Sequence, residues 1–551
     1  MMRLPDRPDL DHLKRQAKDL HASARRGDPQ ALARFRDRLP ATAGRPDGAI
    51  AALGLRLHDA QSCLAREYGF PSWHELRSFV LVRRSRTSDR AAATYEWLRL
   101  VYAGDITGGT GRASPAAAAR LLESEPGLAE GDPSLACAVG DEAALRRAIE
   151  ADPGWIGRAD GPLGLPPLVA VAHSSLLTQP VYRERLIGCT RLLLDRGADP
   201  DQKIRSRWRA AAGEPAVPSP LSALYGAAGQ NRDPELTRML LAAGADPNDG
   251  ESLYHALEDI RCTRLLLEAG ARIAGTNALY RVLDLDDVEA LRLLLAYGAD
   301  PDEPPGGEPT DAYGTPLLWA IRRRRSRAHV AALLEAGADP GARTRDGTGA
   351  FALALRFGLP EVAELLAKAG ATEAIGEADR FVAACAAGDA ATASALRARH
   401  PDLPESLPEA QLRQLPEMAA LGCGEAVRLM VRLGWPLATR GGDWDASALN
   451  HAVFRGDAGL ARFLLEQGAS WRERHGFGDH VAGTLSWAST NESQGAGNQF
   501  GDWVGCAEAL LDYGMPGGRR DPAGSDAVIL DGTPRRFSDE VSDILLAHPD
   551  R

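Results

Sequence analysis

The chain has 551 residues, 44% of them hydrophobic and 25% charged, and a formal net charge of −11. That length exceeds the roughly 250–300 residues at which a single hydrophobic core stops growing, so several domains or a repeat array are required. Seven cysteines without a CxxC pair argue against a disulfide framework or a zinc ribbon, and the lack of any apolar run of about 18 residues argues against a membrane span. The start does not resemble a secretion signal, so a cytoplasmic protein is expected. Only four of the 64 basic residues are lysine (14, 18, 203 and 368), a coding bias that suggests a GC-rich, bacterial source. Residues 1–90 hold 18 Arg and Lys against 11 Asp and Glu, which leaves −18 on the remainder and marks the start as a separate module.

The first 80 residues read as helices. Leu10, Leu13, Ala17, Leu20 and Ala24 share one face, and Gly27-Asp28-Pro29 restarts a helix containing Leu32, Phe35 and Leu39. Residues 57–68 and 71–82 read as two more, joined at Tyr68 to Trp73. This joint admits a helix-turn-helix reading, with Arg77, Arg83, Arg84 and Arg86 placed to meet phosphates. Two helices of a small bundle meeting at Gly69 is the plainer account. The leader, with HLKRQAKDL at 12–20 and LAREYGFPSWHEL at 64–76, resembles an N-terminal segment of bacterial ankyrin-repeat proteins.

Residues 91–160 read as degenerate repeats, the second opening with SLACAVGD at 134–141, a pattern that returns as FVAACAAGD at 381–389. From 161 to 516 a leucine-rich segment ending in glycine recurs: LLLDRGADP, MLLAAGADP, LLLAYGADP and ALLEAGADP end at Pro200, Pro247, Pro301 and Pro340. The turn glycines from Gly197 to Gly514 have a mean spacing of about 35 residues when one double gap is counted as two. Cys189, Cys262 and Cys506 each stand eight residues before such a glycine, where other repeats carry Leu, Val or Ala, so they are expected in the core. SALNHAVFRGDAGLARFLLEQGA, residues 447–469, matches the ankyrin pattern without a gap. The chain is therefore identified as resembling the ankyrin-repeat family, which implies helix-turn-helix units with short β-hairpin fingers. Thr315 is expected to cap a first helix and Pro316 to occupy its first position, while Gly298 and Gly337 end second helices in a left-handed conformation. Insertions at 174–186, 201–218, 302–312 and 489–503 interrupt the period, and residues 517–551 are expected to cap the array.

Searching the repeats for chemistry yields little. The glycines of Gly104 to Gly111 lack the lysine of a phosphate-binding loop and follow a helix, so a turn explains them better. His475, Asp479 and His480 could converge on a metal, but with no fourth ligand evident a solvated loop is the better account. His255 and His451 recur at one repeat position, a scaffold signature. No catalytic residue, cofactor or metal is expected. Binding has more candidates. Arg322, Arg323, Arg324, Arg325 and Arg327 end one first helix, where they could hold a carboxylate- or phosphate-rich partner; a solvated helix end is the simpler reading. Trp444 and Trp471 fall on expected fingers and are candidate anchors for a partner, whereas Trp487 and Trp503 are expected to pack beneath the last insertion.

The fold expected is an all-α ankyrin-repeat solenoid, elongated and preceded by a small helical module. The function that the resemblance implies is a monomeric, non-catalytic scaffold presenting a concave surface to another, unidentified protein. The alternative is a DNA-binding regulator in which residues 1–90 contact duplex and the repeats receive a protein signal.

Overall fold

The computed structural model describes residues 2–5, 7–84, 89–109, 111–208, 219–306, 314–491, 501–522 and 527–548. Most of the insertion segments 201–218, 302–312 and 489–503, and Arg86, lie outside them. Among these residues the fold is all-α apart from short two- and three-stranded sheets, and no helix is long and apolar enough to cross a membrane. The chain divides into two compact units, residues 1–278 and 279–551.

The recurring element is a pair of short helices. Pro234–Ala242, Ile260–Glu268, Val288–Ala296, Arg327–Glu335, Pro360–Lys368, Gly424–Arg432 and Ala458–Glu466 all have 9 residues. Helices this short are marginal in water and need tertiary partners. Two devices set their ends. An aspartate precedes many second helices, and Asp141, Asp233, Asp259, Asp287, Asp389 and Asp457 each accept a backbone N–H in the first turn, which contributes about 1 kcal/mol per cap. At the other end Gly298 and Gly337 hold positive φ. Thr315 caps the helix Pro316–Arg322 through its hydroxyl, with the proline in the first turn. Cys137, Cys189, Cys262, Cys385 and Cys506 are fully buried free thiols.

In the first unit, Leu10–Arg25, Pro29–Arg38, Leu57–Glu67 and Trp73–Arg84 form the leader. Trp73–Arg84 faces its own protein: the Glu75 carboxylate accepts the N–H groups of Ala116 and Ala117, capping Pro115–Ser124, and Ser114 bridges His74 and Ser78. Five helix pairs follow, from Arg90–Val101 to Ile260–Glu268. The 174–186 insertion is absorbed as a 3-10 turn, Ser175–Thr178, and an early start to Pro180–Asp195.

In the second unit, first helices stack on first helices from Pro316–Arg322 through Ala350–Arg356 to Glu377–Ala387, and again from Gln414–Ala420 through Ala448–Phe454 to Val481–Asn491. Between these runs the rule changes. Toward the next pair, Glu377–Ala387 packs mainly on its second helix, Gly424–Arg432. The row therefore curls rather than advancing evenly, and Arg322 meets Glu417, 95 positions away. The end segment adds an antiparallel sheet, Arg519–Arg520, Val528–Leu530 and Thr533–Arg535, before the helix Asp539–Ala547; that sheet was not expected.

Two glycines distinguish conformational from steric need. Gly140 and Gly197 both have positive φ. A Cβ on Gly140 would lie 2.8 Å from Arg185 and Leu186, whereas one on Gly197 would meet nothing within 4 Å. Gly197→Ala should cost about 1–2 kcal/mol from the left-handed backbone alone, and Gly140→Ala a further ~1–3 kcal/mol from the forced separation of helices. Urea unfolding of the two variants measures the difference.

Candidate functional site

The arginine run closes the helix Pro316–Arg322 and forms the turn after it. Helical spacing cannot show what lies opposite, and the curled row supplies it. Arg322 is 3% exposed. Its Nη2 donates to Glu417 Oε1 at 3.1 Å and its Nη1 lies 2.5 Å from Asp443 Oδ1. Arg323 reaches Asp443 and Asp284, both at 2.7 Å, and covers the Trp319 ring at 4.3 Å. Arg325 pairs with Asp286 at 2.7 Å, Arg324 points at Met418 Sδ, and Arg327 is exposed. The solvated helix end anticipated from sequence is thus, for Arg322 to Arg325, a set of internal contacts.

Charge balance explains the arrangement. A buried guanidinium costs several kcal/mol in lost hydration unless it is paired and hydrogen-bonded, and Arg322 has two carboxylates. Burial pushes the Asp443 carboxyl up, but Arg322 and Arg323 outweigh it and hold the group below the usual range. At Asp284 burial prevails and its pKa rises despite Arg323. Glu417 does a second task, since its Oε1 also accepts the Gly442 N–H at 3.1 Å. One carboxylate therefore ties the first helix, the finger around Arg440–Gly441 and the arginine together.

Trp444 follows Asp443 on that finger and stands against His451, Phe454 and His475 with ring centroids 4.7, 5.6 and 5.1 Å away. A cavity of about 160 Å³ opens between Arg322, Arg323, Asp443, Trp444, Phe454 and Arg455. The structure thus brings Arg322, Arg323 and Trp444 to one place. Trp471 lies elsewhere, 4% exposed, donating from Nε1 to the Gly514 carbonyl and packed on His480. Trp503 is buried as expected, but Trp487 is 52% exposed and stacks on Phe454 at 5.5 Å. Phe454 and Trp487 occupy neighbouring first helices at the same edge, a recurrence that period counting alone could have found. His451 is buried and donates from Nε2 to the Gly441 carbonyl, and burial lowers its pKa.

His475 and His480 are buried rather than solvated. Asp479 faces the last sheet, where Arg535 donates to both its oxygens at 2.6 and 2.8 Å. Burial raises the Asp479 pKa, but Arg535 prevails and takes it to about 2. Among the described residues no three metal-ligating side chains converge.

A second cavity, of about 290 Å³, lies in the first unit. The glycine-rich turn lines it, through Gly104 and Asp105, together with Tyr225, Gln230, Glu251 and His255. His255, at the repeat position that buries His451, is half exposed here and lies 3.2 Å from Glu251.

Arg322→Met should destabilise by about 3–5 kcal/mol, because Glu417 and Asp443 lose their common counter-ion; chemical unfolding reports it. Asp479 carries a depressed folded pKa of about 2 against a reference of 3.8, so its contribution is complete above that reference and disappears as pH falls toward the folded value. The gap in thermal midpoint between the native chain and Asp479→Asn should therefore narrow across that acid window.

No family model matches the chain, and no curated protein matches it. Among solved structures the chain is similar to the human ASB11 ankyrin repeat domain, at 19% identity over 44% of this chain and 100% of that chain, with a TM-score of 0.31.

Proposed function

We propose that the chain is a non-catalytic scaffold that binds another protein through the first helices and fingers of its second unit, centred on Trp444, Phe454 and Trp487. The observation that carries this reading is the aromatic row: Trp444 against Phe454 at 5.6 Å and Phe454 stacked on Trp487 at 5.5 Å, with Trp487 half exposed. Phe477, 83% exposed, projects from the next finger. Large aromatic side chains held on a rigid support lose little freedom on association and dominate interface energetics. Arg327 and the accessible edge of Arg323 supply cationic contacts at the rim, while Trp471 acts beneath the surface by fixing its finger.

The alternative, duplex binding by residues 1–90, has less support, because His74, Glu75 and Ser78 of its would-be reading helix are turned toward the helix that begins at Pro115. Partners captured by the full chain should be lost, by ten-fold or more, from a Phe454→Ala, Trp487→Ala double variant whose circular dichroism is native. Undiminished capture of the same partners by the folded double variant contradicts the assignment.

A further inference from the structure

The cavity of the first unit has features that the scaffold reading does not use. Its floor is a π-helical turn, Gly226–Gln230, continuing the helix Ala223–Tyr225. Such turns sacrifice regular hydrogen bonding and recur at functional sites. Here the turn requires small residues: a Cβ on Gly226 would lie 2.5 Å from the His173 ring, and one on Gly229 2.7 Å from the Tyr225 ring. It also sets Gln230 between the buried His173 and the partly buried Asp105. Gln230 Nε2 donates to Asp105 Oδ2 at 2.7 Å, and its Oε1 lies 2.9 Å from His173 Nδ1, while His173 Nε2 donates to the Ser222 carbonyl at 2.8 Å. Asp105 is thereby fixed by a side chain 125 positions away.

Among the described residues the charges that line the cavity are one-sided. Asp105 and Glu251 line the cavity, and no lysine or arginine among the described residues does. Arg207, whose backbone N–H donates to the Asp105 carbonyl, turns its guanidinium to the carbonyls of Ile106 and Leu163. Glu251 is partly balanced by His255 at 3.2 Å. Asp105 is not balanced: Oδ1 is buried and has no hydrogen-bond partner among the described residues. A carboxylate with one oxygen lacking a donor is held at a cost, which a cation beside it offsets. Tyr225 and the half-exposed Trp208 supply aromatic faces beside it, the surroundings that favour an organic cation. The volume of about 290 Å³ lies at the lower bound for small-molecule sites, enough for one side chain or small amine and too little for a nucleotide cofactor.

We propose that this cavity binds the guanidinium or ammonium head of a flexible aliphatic chain, with the Asp105 and Glu251 carboxylates as its counter-charges. The head can come from an arginine or lysine side chain of a peptide or from a free amine. This site is separate from the aromatic surface of the second unit, and either reading can fail without the other.

Calorimetric titration of the full chain with agmatine and with the peptide acetyl-Ala-Arg-Ala-amide separates the two sources, and the same peptide with citrulline in place of arginine is the neutral control. Saturable binding of either cationic probe is expected, with no saturable heat from the citrulline peptide. Asp105→Asn and Glu251→Gln, each checked for native circular dichroism, should weaken it ten-fold or more; if one fails to fold, the other decides. Response to agmatine and peptide alike, or to one alone, identifies the source and supports the site. The proposal is overturned if neither probe saturates up to roughly 10 mM, weaker than the millimolar range of the weakest specific contacts. Equal binding of the citrulline peptide, or unchanged affinity in a folded Asp105→Asn or Glu251→Gln chain, also overturns it.

Discussion

A guanidinium sealed inside a protein must find its counter-charges there, and Arg322 finds them in Glu417 and Asp443. Those acids belong to a helix pair and a finger about a hundred residues further along the chain. Pairing is possible only because the row of first helices curls after Glu377–Ala387, where a first helix packs on the second helix of the next pair. The same contact positions Trp444, which directly follows Asp443, and so places the aromatic row of Phe454 and Trp487. Arg323 extends the network to Asp284 and Trp319. Chain curvature, charge burial and surface chemistry in this unit therefore share one origin.

The curl changes what the inner surface of the repeats can offer. An open concave face would leave its arginines to an external acidic partner. Here four of them are engaged by the chain's own groups, and the accessible chemistry shifts to exposed aromatic rings. The first unit follows a similar logic with different residues: Asp105 reaches Gln230 across its first helices and leaves an acidic, aromatic cavity. First helices thus carry exposed rings in one unit and help to line an acidic, aromatic cavity in the other.

Local structure was largely legible in the sequence. The Thr315 cap, the left-handed Gly298 and Gly337, the buried cysteines eight residues before a turn and the leader helices all follow from short-range rules, because each depends on neighbours within a turn or on repeat register. Three features were not legible. The internal pairing of Arg322 depends on contacts 95 positions apart, which no window of sequence contains. The exposure of Trp487, expected beneath the last insertion, and the burial of Trp471, expected on a finger, depend on which side of the stack each faces, which register alone does not give. The cavity at Asp105 is not legible because its lining comes from residues more than a hundred positions apart, Gly104 and Asp105 with Tyr225, Gln230 and Glu251. The aspartate before many second helices is a further signal readable in the sequence.

The central claim is that Arg322 and Asp443 act on each other and not merely as two polar residues in one neighbourhood. A double-mutant cycle of stability with Arg322→Met and Asp443→Asn measures that coupling directly. The account predicts a coupling free energy of at least about 1.5 kcal/mol, in the range of close buried charge pairs. Additive effects, to within about 0.5 kcal/mol, would contradict it.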